Sequence, residues 1–514
     1  MAKTAPTLDL ALADPRPGSV LLRWLYDEIR SAILDGRLRR GARLPSTRSI
    51  AARYGVSRGT VVAAFNQLQS EGYLEGRVGE GTHIKARLPE DFLTAGTVPT
   101  GSARPSARRR ALSRLASRLP RVPDAPASVA RAFRAEPALE ELPLEAWARI
   151  ASRCLRRAPR SLLSDSDSRG YRPLRDAVAS YLGAARGVKC AGDQVVIVAG
   201  IQHGLDLTIR LLLDPGDPVC VEDPCHPMVA MMLRVLPARI VPVPVDDRGL
   251  DVEAARRRCV RPKLVYVTPA HQFPLGAMLS VDRRLALLDW ARRTGAWIFE
   301  DDYDSEYRYS GRPIPALQGF DRDGSVIFAG SFSKVLLPGL RLGYLVVPER
   351  LTEKFSAARF ITDRHSSVID QAVMCEFLTD GHFARHVRRM RELYAHRLEV
   401  LRESVREKLA GALELPETPA GILAVGWLAA GLNAETVAKA AAERHVEVTP
   451  VGRYALEWRG PEGLVLGFAA VGDRELHRGV DVLAAVLEAS GQSSRDRAQG
   501  IRDRRAARRP RRRH

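Results

Sequence analysis

Two apolar runs constrain this chain more than any other feature, because each ends in residues suited to chemistry rather than to packing. Val326-Ile327-Phe328-Ala329 reads as a buried strand leading into Ser331-Phe332-Ser333-Lys334. Ala296-Trp297-Ile298-Phe299 reads as a second, ending in Glu300-Asp301-Asp302-Tyr303-Asp304. Lys334 follows Asp301 by 33 residues, so both fall at the carboxyl ends of strands in an open α/β sheet, where ligand sites gather. Burial at a strand end favours the neutral amine of Lys334 and lowers its pKa, as a Schiff-base nucleophile requires. The hydroxyls of Ser331 and Ser333 and the guanidinium of Arg341 can gather round one phosphate. An aldehyde cofactor that carries a phosphate and joins a lysine is pyridoxal phosphate (PLP). Asp301 would then hold the pyridine nitrogen protonated, and the Tyr303 phenol would reach the ring hydroxyl. Taken singly, the first stretch also reads as a surface Ser-Lys turn and the second as an acidic helix cap. Their pairing favours the site.

The amino-terminal part reads as a separate unit. Leu21, Leu22, Leu25, Ile29 and Ile33 share one helical face, and Gly36 stops that helix. Pro45-Ser46 opens a short helix from Thr47 to Tyr54, closed by Gly55. Ser57 caps a third helix, Arg58 to Glu71, with Val61, Ala64, Phe65 and Leu68 on its inner face. Tyr73-Leu74-Glu75 and Thr82-His83-Ile84 flank a turn from Arg77 to Gly81 as a two-stranded wing. Three helices and a hairpin suit a winged helix-turn-helix, whose recognition helix turns its first residues toward the major groove. Arg58 and Thr60 occupy that turn. Arginine reads guanine bidentately, and threonine bonds a base or meets a thymine methyl. Arg48, Arg53 and Arg77 are placed for phosphates. A small helical protein-interaction domain is the alternative.

The net charge of +19 over 514 residues favours a polyanionic partner. From Arg495 to His514, ten arginines stand against two aspartates, which predicts a disordered basic tail over 489–514. Residues 87–134 are rich in Pro, Ala, Ser and Arg and read as a linker with one helical segment, Arg110 to Leu119. The chain has no run of 18 apolar residues and no charged-then-apolar leader, which predicts a cytoplasmic protein without a membrane partner. Its six cysteines form no CxxC pair, so neither a metal site nor a disulfide framework is expected.

In the large domain, Gln194 to Val198, Pro218 to Pro224 and Lys263 to Thr268 read as strands, and Pro173 to Leu182 as a helix. Helices follow from about 350 to 408, then strands near Ile422 to Leu428, Val446 to Thr449 and Leu464 to Ala469. The turn Ala199-Gly200-Ile201-Gln202 opens a helix and offers free N–H groups to an anion.

Several stretches resemble the MocR subgroup of the GntR regulators. In the first unit they are Leu44-Pro45-Ser46-Thr47-Arg48, Val56-Ser57-Arg58-Gly59-Thr60-Val61 and Glu71-Gly72-Tyr73-Leu74. In the second they are the run from Glu300 to Tyr309, and Gly330 to Lys334 with Pro338 to Tyr344. The resemblance spans about residues 18 to 485. It implies a winged helix at 18–86 and a fold-type I aminotransferase-like PLP domain at 135–488. It also implies a homodimer in which each winged helix lies over the other subunit's large domain. Lys334 would carry PLP as an internal aldimine, Gly200, Ile201 and Gln202 would cradle the phosphate, and His226 would take the place of the aromatic that stacks on the ring. Gln272 or Phe273 would border the cofactor, and Arg453 would hold an effector carboxylate. Ser57 and Gly81 join Arg48, Arg58, Thr60 and Arg77 as DNA-binding candidates. Three positions depart from the family: Asp165 for the Tyr that reaches the neighbouring subunit's phosphate, His226 for the stacking Tyr, and Leu423 for a His in the Pro-Ala-Gly-x-His segment. They predict looser PLP binding and a different effector. The expected function is regulation of transcription by a protein that binds operator DNA and senses a small amine, an amino acid or PLP itself. Two alternatives are an active aminotransferase with an accessory DNA-binding domain, and a dimerisation domain that has lost PLP.

Overall fold

The computed structural model describes residues 12–13, 20–77, 80–93, 111–113, 115–119, 132–164, 166–236, 238–311 and 314–507. The chain divides into two units, Met1–Ala111 and Leu112–His514. Asp165 lies outside the described residues.

In the first unit, helices Leu21–Leu34, Thr47–Tyr54 and Arg58–Ser70 precede a hairpin of strands Leu74–Arg77 and Gly81–Ile84. Leu25, Ile29, Val61, Ala64 and Leu68 are fully buried and form its core, as the helical spacing requires. The Ser46 and Ser57 side chains accept from Ser49 N and Thr60 N, satisfying a free donor at the start of each helix. Gly55 takes a left-handed conformation (φ 64°) and turns the chain between the two helices. The hairpin pairs Leu74 with Ile84 and Arg77 with Gly81, and Arg43 bridges to His83 on its other edge.

This unit continues past residue 86, into the segment the sequence assigns to the linker. Leu88 is buried in its core, and a short helix, Pro89–Leu93, follows. Arg30 and Arg40 pair with Glu90 and Asp91. The expected helix from Arg110 to Leu119 reduces, over its described residues, to a 3-10 turn at Ala116–Arg118. Leu112, Leu115 and Leu119 are exposed, so this stretch has no buried face to hold a longer helix.

The second unit is built on an eight-stranded sheet. Its order is Val195–Val198, Gly343–Val346, Val326–Ser331, Trp297–Asp302, Leu264–Val267, Pro218–Asp223, Arg239–Asp246 and Gly249–Leu250. Five neighbouring strands, from Val326–Ser331 to Arg239–Asp246, run parallel, while Gly343–Val346 is antiparallel to both its neighbours. The parallel strands are largely apolar, packed on both faces, and carry their charged residues toward their ends. Asp301 pairs with Ala329 and Asp302 with Gly330, so the two chemically distinctive strand ends lie side by side. A four-stranded antiparallel sheet forms from Leu413–Glu414, Leu423–Leu428, Gly463–Gly467 and Thr449–Pro450.

Two expectations for the carboxyl-terminal part are corrected. The strand placed at Val446 to Thr449 is only Thr449–Pro450, because Val446 N closes the preceding helix on Ala441 O after His445 turns left-handed (φ 60°). The last helix runs Asp473–Ala507, so the backbone is helical well into the tail expected to be disordered. Alanine, arginine and glutamine favour helix there, and Pro510 lies just beyond. No helix among the described residues is long and apolar enough to cross a membrane.

Candidate functional site

A cavity of about 370 Å³ opens at the carboxyl ends of the central strands. All ten residues expected at a cofactor line it: Gly200, Ile201, Gln202, His226, Asp301, Tyr303, Ser331, Ser333, Lys334 and Arg341. Lys334 Nζ donates to Ala135 O at 3.2 Å. Burial holds its pKa below the ordinary lysine value, against the pull of Asp304 and Glu136. Burial raises the Asp301 carboxyl to about 7, although Tyr266 donates to its Oδ2 at 2.6 Å. Asp301 Oδ1 is buried and has no partner among the described residues.

The other end of the cavity is rich in donors. Gly200 adopts φ 84°, and a β-carbon there would sit 3.6 Å from Arg341 Nη2. The helix Ile201–Leu212 begins at Gly200 with no side-chain cap, leaving first-turn N–H groups for a ligand. Arg341 Nη2 donates to Ala199 O at 3.0 Å, Ser331 Oγ accepts from Ser333 N, and Ser333 Oγ is buried without a partner among the described residues.

The walls hold partners that sequence reasoning missed. The Tyr303 hydroxyl lies 3.1 Å from His271 Nδ1, which lies 3.0 Å from Asp304 Oδ2. The His271 ring fits because residue 421 is glycine: a β-carbon there would come within 2.1 Å of it. Tyr266 was also missed. Its position two residues before Thr268, at the end of an apolar strand, was the available signal. The His226 ring stands 5.2 Å from that of Phe273, and Nδ1 accepts from Met228 N. Surrounding protein, then the Lys334 charge, lower its pKa and keep the imidazole neutral at pH 7. Phe273 lines the cavity, whereas Gln272 is turned to Pro224 O and Phe273 O. Leu423 lines it too. Arg453 does not. It forms a bidentate pair with Glu435, Nε–Oε1 2.9 Å and Nη2–Oε2 2.6 Å, and its neighbour Tyr454 faces the cavity instead.

On the first unit, Arg48, Ser57, Arg58 and Gly81 are exposed and Thr60 is half-buried. The Ser57 and Thr60 hydroxyls are 2.8 Å apart within the cap, which leaves Arg58 as the free donor of the first turn. Arg77 is exposed but pairs with Glu75 at 2.7 Å. Arg43, not anticipated, lies against Gly81 at the base of the wing.

Comparison with known proteins divides the chain at the same place. Residues 22–84 match the family described as bacterial regulatory proteins, gntR family, and residues 136–483 match aminotransferase class I and II. A protein of Rhizobium meliloti named "Probable rhizopine catabolism regulatory protein MocR" is 38% identical over 93% of this chain and 96% of its own. The chain belongs to the MocR subgroup of GntR-family transcription regulators. A second MocR-type relative, the "HTH-type pyridoxine biosynthesis transcriptional regulator PdxR" of Corynebacterium glutamicum, is 31% identical over 90% of this chain and 95% of its own. Among solved structures, the α-aminoadipate aminotransferase LysN of Thermus thermophilus superposes with a TM-score of 0.67 at 27% identity, covering 74% of this chain and 97% of that one. A multiple substrate aminotransferase of Thermococcus profundus gives 0.68 at 28% identity, covering 74% and 98%. The large unit of this MocR regulator is therefore of the fold-type I kind, which has the capacity to bind PLP.

The residues present fit that cofactor. The bare Oδ1 of buried Asp301 suits a protonated ring nitrogen, and the donors round Gly200, Ser333 and Arg341 suit a phosphate. When bound, PLP supplies an aldehyde that condenses with an amine and a ring that withdraws electrons. Lys334 would hold it, His226 and Phe273 would flank the ring, and Tyr303, steadied by His271, would bond its hydroxyl.

Proposed function

We propose that this protein is a PLP-dependent regulator whose winged helix, residues 18–86, binds operator DNA and whose large domain, residues 135–488, senses a small amine, an amino acid or PLP itself at Lys334. The observation that carries this reading is the convergence of Lys334, Asp301, Ser333, Arg341 and the Gly200 turn on one cavity in a chain that also carries a gntR-type unit. PLP, when bound, would supply an aldehyde open to a primary amine, and Lys334, the residue that would hold it, would be the group such an amine displaces. Its displacement shifts the protein between two arrangements only if the ligand favours one of them. Arg453 takes the effector carboxylate in this reading, once it leaves Glu435. The working form is a cytoplasmic homodimer. The name of the Corynebacterium relative, which cites pyridoxine biosynthesis, supports PLP itself as the alternative effector.

The test follows absorbance and operator binding together while PLP and then a panel of amino acids are added, with borohydride trapping and peptide mapping. A pyridoxyl label on Lys334 and a change in DNA affinity with PLP or one amine are expected. A label on another lysine refutes the role of Lys334, and DNA affinity indifferent to every addition removes the sensor. Rapid keto acid release would instead favour an active aminotransferase.

A further inference from the structure

A second cavity, about 800 Å³, lies in the large unit apart from the Lys334 cleft. Its walls come from the last turns of the helix Arg172–Arg186, the chain from Ser305 to Gly311, and the junction of helices Val368–Thr379 and His382–Lys408. Two arginines inside it are incompletely satisfied. Arg186 binds Asp302 Oδ2 through Nε at 2.8 Å and Ile314 O through Nη1 at 3.3 Å, but its Nη2 is buried with no partner among the described residues, and the side chain is only 9% exposed. Among the described residues the Arg308 side chain makes one hydrogen bond, Nη1 to Met278 Sδ at 3.5 Å, and its buried Nε has no partner. Thioether sulfur is a weak acceptor. No carboxylate among the described residues pairs with Arg308. Glu306, an acid on the cavity wall, accepts from Tyr181 and is raised by burial to about 7. Arg284, also on the wall, spends its donors on the carbonyls of Leu279, Pro315 and Pro269.

Burying guanidinium N–H groups without acceptors is costly, and such forks match carboxylate and phosphate oxygens. Exposed Arg388 and Arg391 at the rim add a positive field that draws anions in. Tyr181, Tyr309 and Phe383 offer an aromatic wall beside the arginines. We propose that this cavity is a second small-molecule site for an organic anion, its carboxylate or phosphate held by Arg186 and Arg308 and its apolar body against Tyr181, Tyr309 and Phe383. The site touches the cofactor cleft through one short segment: Tyr303 faces Lys334, while Ser305, Arg308 and Tyr309 face the anion. A ligand here therefore bears directly on the wall of the first cleft, whether or not PLP fills it.

Isothermal titration of the full-length protein with phenyl phosphate, benzoate and, as a neutral control, benzyl alcohol tests the proposal. One or both anions are expected to bind and the alcohol not. Arg308→Met should weaken the anion at least about tenfold, the loss of a charge-assisted contact, with Arg308→Lys in between. Ala177→Trp, which adds bulk at another wall of the cavity and leaves both arginines in the sequence, should abolish binding even if Arg308→Met folds poorly. Arg341→Ala, in the other cleft, should leave it unchanged. Loss with Arg341→Ala but not with Arg308→Met would put the anion in the Lys334 cleft and overturn the proposal. So would wild-type protein that binds neither anion at millimolar concentration. A change in sedimentation of Arg308→Met without any probe binding would assign the arginines to a partner's carboxylate instead.

Discussion

Tyr266 donates its hydroxyl to one oxygen of Asp301 and leaves the other buried with no partner among the described residues. The two residues sit on adjacent parallel strands, Leu264–Val267 and Trp297–Asp302, so the sheet itself aims the bare oxygen into the cleft. A neutral phenol cannot offset the burial of a carboxylate, which is why its pKa rises to about 7.

That shift has a signed consequence for the cofactor-free protein. A carboxyl raised from 3.8 to about 7 in the folded state takes up a proton on folding. Its contribution to stability is full below the unfolded pKa and is lost as pH rises through about 7. Asp301→Asn should therefore stabilise the cofactor-free protein at pH 8, by at most about 4 kcal/mol, and flatten the loss of stability between pH 4 and 8. Urea unfolding at several pH values measures this. The same variant should bind PLP more weakly, because the amide cannot charge against a pyridinium.

Arg341 is exposed, and among the described residues its side chain hydrogen-bonds only Ala199 O, so its removal should spare the fold. Arg341→Ala should weaken PLP by about 1.5–3 kcal/mol, the value of a hydrogen bond to a charged group. Absorbance titration with an unchanged melting temperature is the expected result. An equal loss of thermal stability would make Arg341 structural.

The pairing of Arg453 with Glu435 turns the effector reading into a two-variant test. If Arg453 serves a carboxylate ligand, Glu435→Gln frees it and should tighten that ligand, while Arg453→Ala weakens it by about 1.5–3 kcal/mol. An amine without a carboxylate should ignore both changes. Silence of both variants with every amino acid that binds would remove Arg453 from the site.

In the winged helix, Arg58→Ala should cost about 1–3 kcal/mol on the correct operator and relax one base preference, with unfolding unchanged. Ser57→Ala should instead destabilise the unit by about 1 kcal/mol, since Ser57 caps the helix through Thr60 N. Deleting residues 490–514 should weaken all DNA alike and reduce the salt slope as its arginines cease to displace counterions. Band-shift titrations at two salt concentrations separate these cases.

The sequence by itself determined the local parts of this protein. Apolar runs closed by polar residues marked the strands before Asp301 and Lys334, and Ser46, Gly55 and Ser57 marked the helix ends, because strand burial and capping act over a few residues. The resemblance to a known family added Gly200, Ile201, Gln202 and His226, and the fold carried all ten cofactor candidates to one cavity. What only the tertiary structure decided is who meets whom across long stretches of chain. Lys334 finds its acceptor 199 residues away at Ala135, His271 stands between Tyr303 and Asp304 because Gly421 leaves it room, and Arg453 turns to Glu435. Arg175 and Arg284 are buried and bound to backbone carbonyls. Such partners depend on side-chain reach and packing between distant segments, and no periodicity along the chain encodes them.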